Sequence, residues 1–320
     1  MGSYSSAMYM ALAIYRSIEA ETMNKINYVL GIDIGGSHIT AAVIDMQQRN
    51  ILKNSYTRDR VNSHGTTEQI IKTWCTTIKA AYKKVDIQVG RLGIAMPGPF
   101  DYENGISYIA GNDKYAAFYG LNVKDMLASE LQISRDQILM SNDASCFLAG
   151  EVFAGEARAY QNLIGITLGT GLGSAVGIEG KITDANLWCS PFLDGIAEDY
   201  LSTRWFLKRY YELSGINILN VRELAMLHDE SQTVRKIFTE FSQNLGLFLK
   251  DFQQNNDADA IVIGGNIANA SGRFLPGVTR YLQSMDINCP IHISKLNEDA
   301  ALVGAAGCWA VQVEESIGKI

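Results

Sequence analysis

No cluster of basic residues appears anywhere in this sequence. The balance runs the other way, with 27 Lys and Arg against 34 Asp and Glu and a net charge of −7. A nucleic-acid surface needs clustered Lys and Arg, so the composition argues against a nucleic-acid partner. No apolar run reaches the ~20 residues that a membrane-spanning helix requires, which argues against a membrane partner. Cysteines are few and scattered: the five, at 75, 146, 189, 289 and 308, form no C-x-x-C pair. Reduced, buried thiols in a cytoplasmic protein are the reading that follows.

What is present is core material. Apolar residues make up 47% of the 320 and charged ones 19%, the profile of a globular chain with a sizeable core. The length favours two domains. Residues 1–22 carry a short apolar patch, Ala7 to Tyr15, with no basic residue ahead of it, which makes a poor signal peptide. Gly2 to Ser6 fits the loose myristoylation pattern, one short enough to match by chance. Residues 1–26 therefore read as an extension, either holding a short helix over about 7–22 or marking an upstream start of translation.

Two stretches organise the rest. Gly31-Ile32-Asp33-Ile34-Gly35-Gly36-Ser37-His38 joins an apolar strand to a second strand, Ile39 to Ile44, through a Gly-Gly turn. Glycines at such a tip let backbone N–H groups approach an anion that a Cβ would hold off. Asp33, at the strand end beside that tip, suits a divalent cation lying between a carboxylate and a phosphate. The same residues also fit a purely structural hairpin with a solvated acid. Residues 165–180 repeat the plan, with Gly169-Thr170-Gly171-Leu172-Gly173 at the tip. Recurrence of one supersecondary unit indicates two related halves, and two such hairpins could hold a nucleotide's phosphates.

In chain order, Thr66 to Lys84 shows helical spacing, and Val89 to Met96 is a strand stopped by Pro97-Gly98-Pro99. Ile109 to Tyr119 is a polar-aromatic loop with Gly111, Asn112 and Asp113. Asn122 caps a helix over Val123 to Leu131. Gln137 to Met140 is a strand with Ser141-Asn142-Asp143 at its end, where open α/β sheets bind ligands. Asp143 equally suits a helix N-cap ahead of Ala144 to Phe153. Lys181 to Asp194 is irregular, and Ile196 to Leu213 reads as one amphipathic helix. Thr233 to Gln254 is a long helix whose Ile237, Phe241, Leu245, Phe248 and Phe252 belong to the core. Ala260 to Ile263 is a buried strand ending in Gly264-Gly265, a pair that admits a flat ligand or simply makes a tight turn. Glu298 to Val313 is an Ala/Gly-rich helix suited to tight packing.

With these pieces in order, residues 28–312 resemble the ROK family of sugar kinases and repressors, in the actin/Hsp70/sugar-kinase superfamily. Gly31 to Ala41, Gly93 to Asp101, Gly111-Asn112, Ser141 to Ala144, Gly169 to Gly173 and Val262 to Asn266 fall in the family's order. The resemblance implies a two-domain actin-like ATPase fold of duplicated ribonuclease H-like α/β domains with a nucleotide and sugar cleft between them. It divides the chain into 27–117, joined by helix 298–313, and 118–297. It implies an ATP-dependent kinase of a hexose or N-acetylated amino sugar, and a homodimer. Asp143 becomes the general base, with Gly98, Asn112, Asn142 and Glu198 as sugar ligands. Gly35, Gly36 and Ser37 and then Thr170, Gly171 and Gly173 hold phosphates. Asp33 orients Mg²⁺ through water, and Gly264 and Gly265 line the adenosine site.

The chain departs from the family between Lys181 and Glu198. The family's Gly-Glu-x-Gly-His stretch and its zinc loop of cysteines are missing, and Ile196 stands where the final zinc cysteine belongs. Structural zinc needs four ligands, and Cys189 is one, so no zinc is expected. Trp188 or Phe192 could wall the sugar in place of the missing residues, or simply pack locally. His38 stands beside the first tip, facing outward or toward a phosphate. Two other functions compete with the kinase. One is a non-catalytic sugar sensor like the ROK repressors, set against by the lack of a basic recognition helix ahead of residue 27. The other is an ATPase clamp for a protein partner, set against by Pro97-Gly98-Pro99 and Asn142-Asp143.

Overall fold

A computed structural model describes residues 27–85, 90–111 and 114–317. The expected extension at 1–26, and Asn112, lie outside the described residues. The chain forms two compact units, one running to Asn142 and resuming at Ala305, the other Asp143–Gly304. The expected boundary at 117/118 falls inside the first unit, because the helix and strand that follow it belong to the first sheet.

That sheet is built from β1 (Tyr28–Ile34), β2 (His38–Asp45), β3 (Asn50–Ile51), β4 (Thr57–Arg60), β5 (Leu92–Met96) and β8 (Ile138–Asn142), in the order β3-β2-β1-β5-β8 with β4 also on β2. β1 and β2 are antiparallel with Ile34 opposite Ile39, whereas β1, β5 and β8 run parallel. Two short strands, β6 (Phe100–Asp101) and β7 (Ile106–Ser107), pair by themselves. Helix α1 (Thr67–Lys83) starts at a capping box, where the Thr66 hydroxyl accepts from Gln69 N–H and Gln69 accepts from Thr66 N–H. It buries Ile70, Ile71, Trp74 and Ile78, spaced by three and four residues. Each large apolar side chain so removed from water contributes about 1.5–3 kcal/mol. Helix α2 (Val123–Leu131) starts as expected at Asn122, whose side chain accepts from Asp125 N–H at 3.0 Å.

The second unit repeats the sheet. After α3 (Asp143–Phe153) come β9 (Asn162–Leu168), β10 (Leu172–Ile178) and β11 (Lys181–Asp184), and later β14 (Ala260–Gly264) and β15 (Ile291–Ile293), in the order β11-β10-β9-β14-β15. Again an antiparallel hairpin adjoins parallel strands. The segment read as irregular is only partly so, since Lys181–Asp184 pairs with β10, and Pro191–Phe192 (β12) pairs with Gly195–Ile196 (β13). The helix expected over 196–213 is two, α4 (Ala197–Tyr200) and α5 (Thr203–Ser214). The break has a purpose: with Ser202 extended, Thr203 gives both its N–H and its hydroxyl to Gly169 O, each at 2.8 Å. Below lie α6 (Val221–Met226), α7 (Gln232–Asn256) and α8 (Ser271–Ser284), and α7 buries the expected Ile237, Phe241, Leu245, Phe248 and Phe252.

The last helix, α9 (Asp299–Ile317), depends on its small residues. A Cβ on Gly304 would overlap the Cys146 carbonyl, and one on Gly150 the Ala300 carbonyl, so α3 and α9 touch backbone to backbone. Beyond Gly304 the helix belongs to the first unit, where Trp309 Nε1 donates to Leu92 O at 3.0 Å. Of the cysteines, Cys75 and Cys146 are buried as expected, whereas Cys289 and Cys308 are half-buried and Cys189 is exposed.

Candidate active site

Asp143 is the first residue of α3, directly after β8, so it opens the helix rather than standing outside it as a cap. Its Oδ1 accepts the Ala144 N–H at 2.9 Å. Surrounding protein displaces bulk water and pushes its carboxyl above the ordinary aspartate value; the Ala144 N–H opposes this, and the Asp184 carboxylate adds to the rise. The side chain itself still reaches solvent, so water tempers that push. Asp184, at the end of β11, is also raised, because nearby protein displaces part of its water although the side chain is exposed, while it accepts from Asn186 N–H. Sequence reasoning missed Asp184, because the strand that carries it was not read as one. A carboxylate of raised proton affinity, open to solvent at a strand end, is what a general base requires.

Asn142 closes β8 and is 9% exposed. Its Nδ2 donates to the Tyr102 hydroxyl at 3.4 Å, and that hydroxyl donates to Met96 O at 2.9 Å. A Cβ on exposed Gly98 would stand 3.1 Å from the same hydroxyl. Tyr102 therefore ties together Gly98 and Asn142, two expected sugar ligands, a role the sequence did not announce.

The first tip, Gly35 to Ser37, turns on the Gly35 N–H bond to His38 O at 2.9 Å. Asp33 is half-buried at the end of β1, and His38 Nδ1 pairs with the Ser37 hydroxyl at 2.8 Å. In the second tip, Gly169 N–H donates to Gly171 O, and Thr170 is exposed. A Cβ on Gly173 would meet the Thr167 hydroxyl and Ala144. Glu198, in the first turn of α4, is engaged rather than open: its Oε2 accepts Leu172 N–H at 3.0 Å, it lies against Gly171, and Arg204 pairs with Oε1. Gly264 and Gly265 are both demanded by packing. A Cβ on Gly264 would enter the Phe147 ring, and Gly265, at φ +83°, abuts the Leu168 backbone.

Around the altered segment Phe192 is buried, edge-on to Tyr200 and Phe248, so it serves packing. Trp188 is exposed and donates to Asn186 Oδ1. Among the described residues no group of three or more His, Cys, Asp or Glu could hold a metal ion. A recess of about 740 Å³ in the second unit, lined by Asp199, Arg204, Lys208, Arg209 and Glu240 among others, contains none of the expected site residues. Its Arg209 is already bidentate to Glu240, at 2.7 and 3.0 Å.

The model of the ROK family matches residues 29–186. The chain is 26% identical over 265 residues to the N-acetylgalactosamine kinase AgaK of Shewanella sp. (strain ANA-3), covering 74% of this chain and 81% of that one. It is 24% identical over 265 residues to the N-acetyl-D-glucosamine kinase of Pectobacterium carotovorum subsp. carotovorum (strain PC1), covering 75% and 84%. Its fold matches a ROK family glucokinase from Streptomyces griseus, solved with glucose and AMPPNP, with a TM-score of 0.71 at 21% identity over 88% of this chain and 98% of that one. Among the described residues, no helix is long and apolar enough to cross a membrane. With the two repeated sheets, the two glycine hairpins and Asn142-Asp143 at the end of β8, these matches make the chain similar to the ROK family in sequence and in fold.

Proposed function

We propose that this protein is an ATP-dependent kinase of a hexose or an N-acetylated amino sugar, with Asp143 as the general base. The observation that carries the reading is Asp143 itself: a solvent-reached carboxylate of raised proton affinity, placed where a strand gives way to a helix. The sugar hydroxyl gives its proton to the Asp143 carboxylate as its oxygen attacks the γ-phosphorus; the bond to ADP breaks and ADP leaves with the electron pair. Asn142, backed by Tyr102, and Gly98 are assigned to the sugar, as is Asn112 by family likeness alone. Gly35, Gly36, Ser37, Thr170, Gly171 and Gly173 are assigned to the phosphates, and Gly264 and Gly265 to the adenosine.

Glu198 is assigned to the sugar by likeness, and its carboxylate also accepts the Leu172 N–H beside the second tip. Mg²⁺ suits a site with one carboxylate, Asp33, because it keeps several waters and takes its other ligands from phosphates. When bound it neutralises developing phosphate charge. The altered segment supplies Cys189 where structural zinc needs four ligands, so zinc has no place in the proposal. Family likeness supports a homodimer, and use of ATP supports a cytoplasmic location.

A coupled ADP-release assay over a panel of hexoses and N-acetylhexosamines tests the reading. Sugar-dependent turnover that disappears in Asp143→Asn is the expected result. Sugar binding without turnover would mark a sensor and overturn it.

A further inference from the structure

The first tip carries a cation that the family likeness does not assign. A Cβ on Gly36 would fall among Cδ, Cε and Nζ of Lys114, so the lysine side chain lies directly over this glycine. Gly36 is not among the positive-φ glycines, so close approach of the lysine, rather than backbone conformation, is what uses the missing Cβ there. Lys114 has no carboxylate partner among the described residues, whereas Lys79 pairs with Glu130 and Lys124 donates to Glu103 O. The N–H groups of Gly36 and Ser37 likewise meet no acceptor among the described residues. Two unspent N–H groups and an unspent ammonium at one turn make a receptor for an oxyanion.

The lysine is delivered there by a rigid neighbour. Tyr115 is fully buried, packed at 5.3 Å edge-on to Trp74 and at 6.4 Å against Phe118. Its N–H donates to Ser63 O at 2.8 Å, and its hydroxyl donates to Gly35 O at 2.6 Å, in the tip itself. Its backbone sits at φ +68°, a conformation unfavourable for a residue with a Cβ and held here by those contacts. The residue before it is thereby set beside the Gly35-Gly36 turn.

We propose that Lys114 is a phosphate-binding residue, whose ammonium completes the Gly35–Ser37 tip and takes a terminal phosphoryl oxygen of ATP. This rests on the kinase reading above. A compact ammonium supplies a point charge where charge develops during transfer, which the N–H dipoles alone supply weakly.

The test pairs Lys114→Met and Lys114→Arg with two measurements on the full chain. In calorimetry, Lys114→Met is expected to weaken Mg-ATP binding about tenfold or more while adenosine binding holds within about twofold, and Lys114→Arg is expected to restore part of the loss. The unchanged adenosine affinity reports that the fold is intact. In the ADP-release assay the KM for ATP rises in parallel while the KM for sugar does not. Mg-ATP affinity within about twofold of wild type in Lys114→Met overturns the inference, leaving the lysine as cover for the turn. If the wild type turns over no sugar but the methionine variant still loses ATP relative to adenosine, the kinase reading fails and the assignment of Lys114 stands.

Discussion

The two glycine hairpins share a backbone and differ in charge. Each joins antiparallel strands through a short tip, each lies next to a parallel strand, and each tip has glycines against which a long side chain rests. Over Gly36 that side chain is Lys114, with two tip N–H groups left unspent. Against Gly171 it is Glu198, whose carboxylate already takes the Leu172 N–H and an arginine. Thr203 further spends the Gly169 carbonyl. Two glycine-tipped hairpins of similar plan thus differ in the charge set against them, a cation over the first tip and a carboxylate against the second. What decides between them comes from far along the chain: the Tyr115 strut is 80 positions from Gly35, and Glu198 is 26 from Leu172.

The largest effect tests a group that the second unit alone supplies. Asp143→Asn is expected to lower kcat by about 10²–10⁴ in the ADP-release assay, the usual worth of a positioned base, with the thermal midpoint unchanged. A loss below about tenfold would remove the base from this unit. Next come the glycines, which the two units use for different reasons. Gly265→Ala forces a Cβ onto the Leu168 backbone at a positive φ and should cost about 1–3 kcal/mol in urea unfolding. Gly36→Ala meets only a flexible lysine, so stability should hold while Mg-ATP affinity falls. Equal destabilisation by both would erase the contrast.

Acidity sharpens the comparison further. Since the Asp143 carboxyl is raised, kcat/KM should fall with decreasing pH at values above the ordinary aspartate range, where the protonated acid can no longer accept the sugar's proton. Asp184→Asn removes a neighbouring negative charge and should move that acid limb to lower pH. A limb that stays in place would show that burial alone sets it. The smallest effect belongs to Glu198→Ala, which strands the Leu172 N–H and should cost about 0.5–1.5 kcal/mol in urea unfolding. No measurable change would mean that water replaces the carboxylate at the second tip.

Local signals read correctly wherever a few neighbouring residues decide the outcome. Thr66 and Asn122 start their helices because a side-chain oxygen satisfies a backbone N–H three residues on. The helix expected through Leu201 and Ser202 failed for the opposite reason: its apolar spacing was continuous, but Thr203 bonds instead to a carbonyl in a turn that the local sequence does not mention. Asp184 was hidden in the same way, on a strand of three exposed polar residues and one half-buried isoleucine that shows itself only when paired with β10.

The sequence by itself determined the two hairpins, the order of the motifs, the stripe of α7 and the placing of Asn142 and Asp143 at a strand end, because strand period, turn glycines and helix caps act over a few residues. Only the tertiary structure decided that Lys114 covers one tip and Glu198 the other, that Tyr102 backs Asn142, and that Asp184 acts on Asp143. Those interactions join residues distant in sequence, and whether a charge is spent or available depends on which partners the fold brings near it.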